Sequence, residues 1–377
     1  MKIAVNTRLL IPDKLDGIGW FTYETLRRIV RDHPEHTFYF IFDRSYSAEM
    51  VFSENVVPVI LSPPTRHPLL WYLWFEMRIP RLLKKLGADL FLSTDGFISL
   101  HSKIPSCAVI HDINFEHRPK DLPFFSRKYY RYFYPRYARA ATRLATVSEY
   151  SRRDIVNTYN VDENKIDLVY NGASKNFIPV VEARREEVRD KYTGGAPYFV
   201  FVGSIHPRKN IRNLLRAFEL FREEYRSPFK LVIVGKKFFL TKAMEDQLDA
   251  MKHKQDVIFT GRMETSELND VLASSWALTF VPFYEGFGIP LVEAMNCDIP
   301  ILASNVTSLP EIAGDAAVYA EPESPGSIRD GMVRIVREEG LRDNLILKGR
   351  ERRKRYSWDH TAGELWKTIE RVLEPHA

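Results

Sequence analysis

Short runs of β-branched and aromatic residues alternate with amphipathic segments along this chain, and the whole alternation occurs twice. In the first half, the runs with the length of buried strands are KIAVN (2–6), TFYFIF (37–42), VVPVIL (56–61), ADLFLST (88–94), CAVIHD (107–112), RLATVS (143–148) and IDLVY (166–170). In the second half they are YFVFVG (198–203), KLVIVG (230–235), DVIFTG (256–261), ALTFVPF (277–283), PILAS (300–304) and AAVYA (316–320). Helical patterns lie between them, at about 19–32, 68–86, 124–141, 149–159 and 211–225. Strands that alternate with helices are typical of βαβ units, so the sequence predicts two Rossmann-like, doubly wound α/β domains with parallel sheets.

The length of 377 residues agrees with two domains, because a domain has roughly 150 residues. The stretch 181–197, VEARREEVRDKYTGGAP, is charged and then rich in glycine and proline, which is typical of a linker. We therefore expect the hinge within 172–196, with a first domain over 1–175 and a second over 176–355. Because doubly wound sheets bind ligands at the carboxyl ends of their strands, the sequence predicts a cleft between the carboxyl edges of the two sheets.

Composition excludes several classes of protein. With 45% hydrophobic and 27% charged residues, the chain is typical of a globular protein and not of a disordered one. No run of about 18 apolar residues occurs, and the first ten residues lack the apolar core of a signal peptide. Cys107 and Cys297 both lie in apolar runs, which favours a reducing, cytoplasmic location. The net charge of +5 favours anionic partners, and contact with a membrane surface stays open.

The stretch FYEGFGIPLVEAM (283–295) places two carboxylates around a glycine-rich loop. Pro290 is suited to the first position of a helix, so Glu285 is expected in the preceding loop and Glu293 in the first helical turn. The glycines of the loop allow a ligand to approach backbone N–H groups, which form a predicted anion site. The amides of this site belong to Phe287, Gly288 and Ile289. Carboxylates beside a phosphate would repel it, so we interpret both as acceptors for sugar hydroxyls; purely structural acidic residues at a helix N-terminus are the alternative.

Two further loops have the composition of phosphate-binding turns. In YFVFVGSIHPRKN, a strand ends at a glycine and a loop with Arg208 and Lys209 leads into a helix, which can bring cations to a diphosphate. In DGIGWFTYETLRRI, Gly17 and Gly19 precede an amphipathic helix, with bare backbone amides expected beside an anion. The pattern of a Walker loop is absent. An exposed basic turn and an ordinary glycine-rich turn are the alternatives.

His111 and Asp112 stand at the carboxyl end of a predicted strand, which places a hydrogen-bonding, titratable pair at the expected cleft. With Glu116 and His117 they suggest a metal site, but no second ligand cluster of recognised spacing accompanies them. No Asp-x-Asp sequence occurs, so a metal bridge to a nucleotide diphosphate has no support. The sequence therefore predicts no metal ion and no resident cofactor.

Two stretches mix aromatic rings with basic residues, namely HPLLWYLWFEMRIPRLLKKLG (67–87) and RKYYRYFYPRYARAATR (127–143). Such segments can lie at a membrane interface or stack on sugar rings. Helices that pack within the first domain are the alternative. No nucleic-acid-binding motif accompanies them, so no nucleic-acid partner is expected.

The order of the motifs resembles glycosyltransferase family 4. The pieces that carry the resemblance are GIG near the start, HD after a middle strand, TVSEYSRRDI (146–155), VYNGAS (169–174), VGSIHPRKN, FTGRM (259–263), FYEGFGIPLVEAM and SLPEIAGDAAVY (308–319). The resemblance covers nearly the whole chain, and it implies a retaining, nucleotide-sugar-dependent enzyme with the two-domain GT-B fold. It also implies that residues 356–377 cross back onto the first domain as a C-terminal helix.

The resemblance assigns roles by position. It implies that Glu285 contacts hydroxyls of the donor sugar and that Glu293 contacts the nucleotide ribose. It implies further that Lys209 neutralises the diphosphate and that His111 faces the transferred sugar. The other implied binding positions are the amides of 287–289, the Gly17–Gly19 turn and, near the base, Gly261 and Arg262.

Two positions depart from the family pattern. Ser204 stands where many members have an arginine, so Arg208 or Arg262 is expected to supply the second cation at the diphosphate. Asp298 stands where a small residue, usually glycine, is common, which could change a turn.

These expectations combine into a metal-independent, retaining hexosyltransferase. It would move a mannose- or glucose-type hexose from a GDP- or UDP-linked donor to a saccharide or lipid-linked glycan, in the synthesis of a bacterial surface polysaccharide such as lipopolysaccharide. No carboxylate stands out as a nucleophile, which favours same-face attack with His111 as a hydrogen-bonding residue. The expected location is the cytoplasm, with peripheral contact at the inner membrane left open. A sugar-nucleotide epimerase or hydrolase on the same fold, and a non-catalytic nucleotide-sugar-binding subunit, are the alternatives.

Overall fold

The chain folds into two compact units. The computed structural model describes residues 1–12, 15–225, 228–236 and 242–373. The first unit consists of Met1–Gly172 and the described part of Ser357–Ala377, and the second of Ala173–Tyr356. The two boundaries lie three residues before and one residue after those expected from the sequence. Residues 374–377, the end of the predicted C-terminal helix, lie outside the described residues.

Each unit has one parallel sheet. The described strands of the first unit are β1 (Lys2–Asn6), β2 (Thr37–Phe42), β3 (Val56–Ile60), β4 (Leu90–Ser93), β5 (Ser106–Val109), β6 (Arg143–Thr146) and β7 (Ile166–Leu168). Those of the second are β8 (Tyr198–Val202), β9 (Lys230–Val234), β10 (Val257–Gly261), β11 (Ala277–Phe280), β12 (Ile301–Ser304) and β13 (Ala317–Ala320). The strand orders are β3-β2-β1-β4-β5-β6-β7 and β10-β9-β8-β11-β12-β13, and neighbouring strands run parallel. The prediction of two doubly wound α/β sheets is therefore confirmed.

The described α-helices connect these strands in the order expected for βαβ units. They are α1 (Gly17–Asp32), α2 (Pro68–Tyr72), α3 (Ile79–Leu86), α4 (Asn114–His117), α5 (Phe124–Ala140), α6 (Glu149–Tyr159), α7 (Glu182–Thr193), α8 (Ile211–Glu224), α9 (Lys242–Asp249), α10 (Thr265–Ala273), α11 (Ile289–Asn296), α12 (Leu309–Ala313), α13 (Pro325–Arg337), α14 (Leu341–Arg352) and α15 (Trp358–Leu373). A π-helical segment, Leu73–Arg78, joins α2 to α3. Within the described residues, no helix is both long and apolar enough to cross a membrane.

The interpretation of 181–197 as a linker is wrong, since most of that stretch forms α7 in the second unit. The helix has almost no apolar stripe, and of its hydrophobic side chains only that of Val188 is fully buried. Ion pairs hold its surface instead, for example Arg184 with Glu187 at 2.7 Å and with Asp270 of α10 at 2.6 Å. A helix stabilised by charged pairs resembles a polar linker in sequence.

The last helix closes the first unit. α15 packs against α1, where Arg28 Nε donates to Asp359 at 2.7 Å and His33 stacks on Trp366 with ring centroids 3.6 Å apart. Gly172 lies directly against the start of this helix, because a Cβ on Gly172 would come within 2.3 Å of the backbone nitrogen of Trp358. The chain therefore leaves the first unit and re-enters it at neighbouring points.

Candidate functional site

The candidate site of the second unit lies where its strand order reverses. β8 and β11 are neighbours in the sheet although far apart in the chain, so the loops after both strands leave the same edge. A backbone hydrogen bond joins these loops, since Phe283 N–H donates to Arg208 O at 2.9 Å. In doubly wound folds, such a reversal is where ligands bind.

Arg208 and Lys209 share one 3₁₀ turn directly before α8. The turn ends at Asn210, which has the left-handed φ of 61° that asparagine tolerates better than most residues. The buried side chain of Asn210 donates to Val281 O at 2.9 Å and to Pro322 O at 2.7 Å. These bonds fix the two cations at the carboxyl edge of the sheet.

Glu285 receives both cations. Arg208 Nη1 donates to Glu285 Oε1 at 2.5 Å, and Lys209 Nζ donates to the same oxygen. Burial alone would raise the pKa of Glu285, but the positive charges of Arg208 and Lys209 outweigh it and lower the pKa. Glu285 is therefore ionised at neutral pH, and these three groups together carry one positive charge.

The loop after Glu285 is held by hydroxyl groups and by one glycine. Ser308 Oγ donates to Glu285 O at 3.0 Å and to Phe287 O at 3.2 Å. Gly288, with φ 93°, caps α11, and a Cβ on it would lie 2.6 Å from a methyl group of Leu309. Only glycine fits this position without strain, so the loop leads into the helix in one defined conformation.

Because Gly288 is the cap, α11 begins at Ile289, one residue before Pro290. The prediction that Glu293 lies in the first helical turn is wrong, since it is the fifth residue of the helix. Its carboxyl group has no hydrogen-bond partner within the part of the chain that the structure describes. Without a neighbouring cation, burial raises the pKa of Glu293 to about 8. A partly buried carboxyl without a partner is typical of a position that a ligand completes.

Three glycines line the same edge of the second sheet. Gly203 follows β8, Gly235 follows β9 and Gly261 ends β10. Gly235 N–H donates to Gly261 O at 2.8 Å, and a Cβ on Gly235 would lie only 1.9 Å from Gly203 O. The edge therefore presents backbone instead of side chains, which suits the close approach of a flat base or a ribose. Gly235 was missed in the sequence, although the repeated glycine at the ends of the three strand runs was a signal.

Two positions next to these glycines, Ser204 and Arg262, concern the cation that is missing at Ser204. Ser204 and Arg262 are exposed, each next to a glycine of the edge. Of the two arginines expected to replace the cation missing at Ser204, it is Arg208 that joins Lys209 on Glu285. This geometry favours Arg208 as the replacement.

The backbone conformation at Asp298 explains why a glycine is common at this position. Its φ of 55° is the left-handed conformation in which glycine is common. Its carboxylate accepts hydrogen bonds from Arg350 at 2.8 Å and Arg353 at 3.1 Å, which compensates for the strain.

In the first unit, His111 lies at the carboxyl end of its sheet. The ring nitrogen Nε2 is 2.9 Å from Thr94 O, and the ring meets Phe21 edge-on with centroids 4.8 Å apart. A carbonyl oxygen can only accept, so Nε2 carries the proton and Nδ1 is the unprotonated nitrogen of the neutral ring. Burial lowers the pKa of His111. The residue is therefore a neutral hydrogen-bonding group at pH 7.

The neighbours of His111 are engaged with other partners. Asp112 accepts from Asn114 N–H at 3.0 Å, Glu116 pairs with Arg131 at 3.0 Å, and His117 lies 2.8 Å from an oxygen of Asp154. Across the residues that the structure describes, no group of three or more His, Cys, Asp or Glu side chains is arranged to hold a metal ion.

The turn at Gly17 and Gly19 differs from its prediction. Asp16 caps α1, and its carboxylate accepts from Gly19 N–H at 3.0 Å. The expectation of bare amides at this turn is therefore wrong for Gly19, because the carboxylate already occupies its amide and repels an anion. The sequence contained the signal, since an aspartate three residues before that amide is a helix N-cap.

A second group at this edge was missed in the sequence. Arg8 follows β1 and Asp95 follows β4, and they form a buried ion pair at 2.6 Å where the strand order of the first sheet reverses. Asn6 Nδ2 also donates to Asp95, at 2.8 Å. Burial alone would lower the pKa of Arg8, but Asp95 outweighs it and raises the pKa.

Comparison with known proteins agrees with this architecture. Residues 15–176 match the family "Glycosyltransferase Family 4", and residues 184–352 match "Glycosyl transferases group 1". The chain belongs to the family 4, group 1 glycosyltransferases. The resemblance inferred from the motifs is therefore confirmed.

Relatives and solved structures extend the likeness. O-antigen chain mannosyltransferase B of Escherichia coli is 30% identical over 59% of this chain and 58% of its own length. O-antigen chain mannosyltransferase RfbU of Salmonella typhimurium is 26% identical over 77% of this chain and 78% of its own length. The crystal structure of Anabaena Alr3699/HepE in complex with UDP and glucose superposes with a TM-score of 0.76 at 14% identity, covering 98% of this chain and 99% of that one. The fold is thus of the GT-B class, as the resemblance implied.

Proposed function

We propose that this protein is a retaining glycosyltransferase that moves a hexose from a nucleoside diphosphate to a saccharide or lipid-linked glycan. The observation that carries the proposal is the convergence of Arg208 and Lys209 on Glu285 at the reversal of the second sheet. A diphosphate requires cations, and sugar hydroxyls require acceptors such as carboxylates. One hydrogen-bonded cluster supplies both.

Binding of the donor would exchange partners within this cluster. The phosphate oxygens would take over hydrogen bonds of Arg208 and Lys209, and the amides of 287–289 at the start of α11 would add donors. Glu285 would then turn to the hydroxyls of the hexose. Because the carboxylate is released only when the cations have found another anion, recognition of the diphosphate and of the sugar would be coupled.

The nucleoside would lie along the rest of the same edge. Glu293 is the proposed acceptor for the ribose hydroxyls, since its carboxyl lacks a protein partner among the described residues. The backbone surface at Gly235 and Gly261 is the proposed platform for the base, with Arg262 beside it.

The chemistry needs stabilisation of charge on the departing diphosphate. As the bond between the anomeric carbon and the phosphate oxygen breaks, Lys209 and Arg208 would stabilise the negative charge from positions already fixed by Asn210. The acceptor hydroxyl would attack from the same face and transfer its proton to the departing phosphate oxygen, which retains the configuration. His111 would accept a hydrogen bond from a hydroxyl group of the transferred sugar through Nδ1. Because the pKa of His111 is lowered, it would not take the proton itself.

The names of the relatives guide the choice of substrates. Two of them are O-antigen chain mannosyltransferases, so we assign a mannose-type hexose and a glycan acceptor of bacterial surface polysaccharide synthesis. The donor nucleotide in this proposal is GDP or UDP. The proposal includes peripheral contact with the inner membrane, because the proposed acceptors include lipid-linked glycans.

A thermal-shift screen across UDP-, GDP-, ADP- and dTDP-linked hexoses tests the donor. A nucleotide that binds only the folded protein raises the unfolding temperature by mass action, and we expect a shift with one base that disappears in Lys209→Ala. The matched control is Lys230→Ala, at the amino end of β9 and away from the site. No shift with any nucleotide-sugar would contradict the proposal.

A product assay then separates transfer from related activities. With the donor identified, glycosyl transfer should require added acceptor. Conversion of the donor without acceptor would indicate an epimerase or hydrolase, and an intact donor would indicate a binding subunit. Transfer should also persist in the presence of a chelator, and loss of activity that returns on adding a divalent cation would overturn the metal-independent part of the proposal.

A further inference from the structure

Two neighbouring helical segments of the first unit expose large hydrophobic side chains to solvent. One runs from α2 through the π-helical segment to α3, and the other is α5. Leu69 is 74% exposed and Phe125 is 66% exposed, although such side chains are normally buried. The exposed hydrophobic residues of the two segments are Leu69, Tyr72, Met77, Phe124, Phe125 and Tyr132. We call these six residues, with the exposed cations between them, the aromatic-basic surface.

Helix geometry brings these residues to one side of each segment. In α5, Phe124, Lys128, Tyr132 and Arg136 follow one another at intervals of four residues and share one stripe. The opposite stripe of α5 is buried in the core, as at Tyr137. The expectation that these stretches are helices packed within the first domain therefore holds for one face of each segment, and the other face is exposed.

The π-helical segment preserves the exposed stripe of the first segment. Ile79 N–H donates to Trp74 O, five residues back, so the turn is wider than in an α-helix. A spacing of five residues then keeps Tyr72 and Met77 on one side, while Trp74 and Phe75 between them are fully buried.

Ring contacts join the two segments. Tyr72 lies 6.0 Å from Phe133 between ring centroids, and His67 lies 6.3 Å from Phe125. The exposed residues thus form one continuous surface instead of two separate patches.

The charge of the surface has a single sign. α5 contains Arg127, Lys128, Arg131, Arg136 and Arg139 and no carboxylate, and α3 contains Arg81, Lys84 and Lys85 and no carboxylate. Arg131 pairs with Glu116, and Arg139 donates to the backbone oxygen of Tyr159. Arg81, Lys84 and Lys85 are exposed, and two cations of α5 cover exposed rings. Lys128 lies 4.5 Å above the ring of Phe124, and Arg136 lies 3.6 Å above that of Tyr132.

The two segments contain one carboxylate, and it is turned away from the surface. Glu76, on the π-helical segment, is buried and accepts hydrogen bonds from Tyr137 OH at 3.0 Å and from Leu100 N–H at 2.9 Å. It therefore stabilises the interior and does not offset the positive charge outside.

We propose that the aromatic-basic surface docks the protein on a lipid bilayer that contains anionic headgroups. Rings and a leucine at the depth of the headgroups, with cations around them, are the chemistry that such an interface binds. The proposal deepens the proposed function and rests on it for its purpose, since a lipid-linked acceptor is presented at a membrane surface. Its test is independent of turnover, so the two fail separately.

Vesicle flotation tests the docking. The wild-type chain should float with vesicles that contain phosphatidylglycerol and stay behind with pure phosphatidylcholine, and salt should weaken its binding. Lys128→Glu with Arg136→Glu should lower the apparent affinity at least 20-fold, because each cation near the surface contributes about fivefold. Leu69→Ser with Phe125→Ser should lower it by about tenfold or more, even at high salt.

Matched controls carry the same changes elsewhere on the molecule. Leu347→Ser removes a hydrophobic side chain that is 61% exposed on α14, and Lys354→Glu with Arg355→Glu reverses two exposed cations of the second unit. Both controls should float like the wild type. All variants should keep the unfolding temperature of the wild type without ligand, which shows that they are folded whether or not a nucleotide binds.

Three results would overturn the proposal. One is equal flotation with neutral and anionic vesicles, and another is normal flotation of the Leu69→Ser, Phe125→Ser double variant. The third is a change of oligomeric state in that variant, measured by light scattering, without any loss of vesicle binding. That outcome would assign the surface to contact between copies of the chain.

Discussion

The two sheets carry comparable ion pairs at the same topological position, and the pairs differ in stoichiometry. In the first sheet, Arg8 after β1 meets Asp95 after β4, one cation with one carboxylate. In the second sheet, Arg208 and Lys209 after β8 meet Glu285 after β11, two cations with one carboxylate. The first group is neutral within itself, whereas the second carries an excess positive charge.

The surroundings reinforce this difference. Arg8 lies 4.1 Å from the ring centroid of Phe97 and 5.1 Å from that of Phe75, so aromatic rings cover it. The second group lies at a glycine-lined edge, and the loop after Glu285 leads into α11, where the carboxyl of Glu293 lacks a partner among the described residues. The charge at one reversal point is therefore balanced within the protein, and the other reversal point is the one proposed to bind an anionic ligand with hydroxyl groups.

The strongest way to break the comparison is Asp95→Asn. It leaves the buried guanidinium of Arg8 without its counter-charge, so we expect a loss of about 3–5 kcal/mol in the free energy of unfolding. Chemical denaturation measures it, with Asp121→Asn, in a more exposed pair with Arg118, as the control. A loss below about 1 kcal/mol for Asp95→Asn would mean that the pair is not structural.

Lys209→Ala should have the opposite effect to Asp95→Asn, because it should impair transfer and leave stability almost unchanged. The unfolding free energy should change little, because Arg208 still faces Glu285. Transfer should fall by about 100- to 1,000-fold with weaker nucleotide binding, the effect of removing one fixed donor from a site of developing charge. Glu285→Gln should lower transfer comparably and keep most nucleotide affinity. Equal loss of nucleotide affinity in both variants would contradict the separate roles.

Glu293→Gln tests the proposed ligand site of the second unit through the pH dependence of nucleotide affinity. Since the pKa of Glu293 is about 8, its ionised fraction rises from about one tenth at pH 7 to about nine tenths at pH 9. If the carboxylate binds the ribose, nucleotide affinity should rise about tenfold over that range in the wild type and stay flat in Glu293→Gln. Isothermal titration at several pH values measures this, and parallel profiles would exclude Glu293 from the ribose site.

The same residue makes a prediction for stability. The folded state keeps a proton that the unfolded chain releases between about pH 4.5 and 8, so the free energy of unfolding falls as pH rises through this window. Glu293→Gln removes that loss. Because the side chain is partly exposed to water, we expect its advantage in unfolding temperature to reach only about 2–4 °C at pH 8 and to vanish near pH 4.5.

The smallest effect is expected at Asp298→Gly. Glycine adopts the φ of 55° without strain, which offsets the loss of the partly exposed ion pairs with Arg350 and Arg353. The change in unfolding free energy should stay within about 1 kcal/mol, and KM for the donor should not move. A changed KM would place Asp298 within the site.

Sequence reasoning located the strands to within three residues, because strands buried on both faces read as continuous apolar runs. It identified Lys209 and Glu285 separately but not their pairing, which joins residues 76 positions apart and depends on β8 and β11 being neighbours. The buried Arg8–Asp95 pair was missed for the same reason. A local signal was overlooked at Asp16, because an aspartate three residues before Gly19 is typical of a helix N-cap.

The exposed stripe of the first unit needed the structure for a different reason. An apolar pattern reports that a helix has a hydrophobic face, but not how much of it other elements cover. The π-helical turn before Pro80 adds a spacing that a 3.6-residue pattern does not contain. Pro80 has no N–H for the carbonyl of residue 76, and the wider turn accommodates the missing bond.

The contact between Gly172 and Trp358 defines how the chain is assembled from parts. The second unit is an insertion whose two ends leave and re-enter the first unit at one place. A short linker from residue 172 to residue 358 would keep the remaining chain continuous, and another insert with the same spacing between its ends could take the vacated position. The proposed donor site and the proposed docking surface therefore lie in different units, each of which has its own sheet.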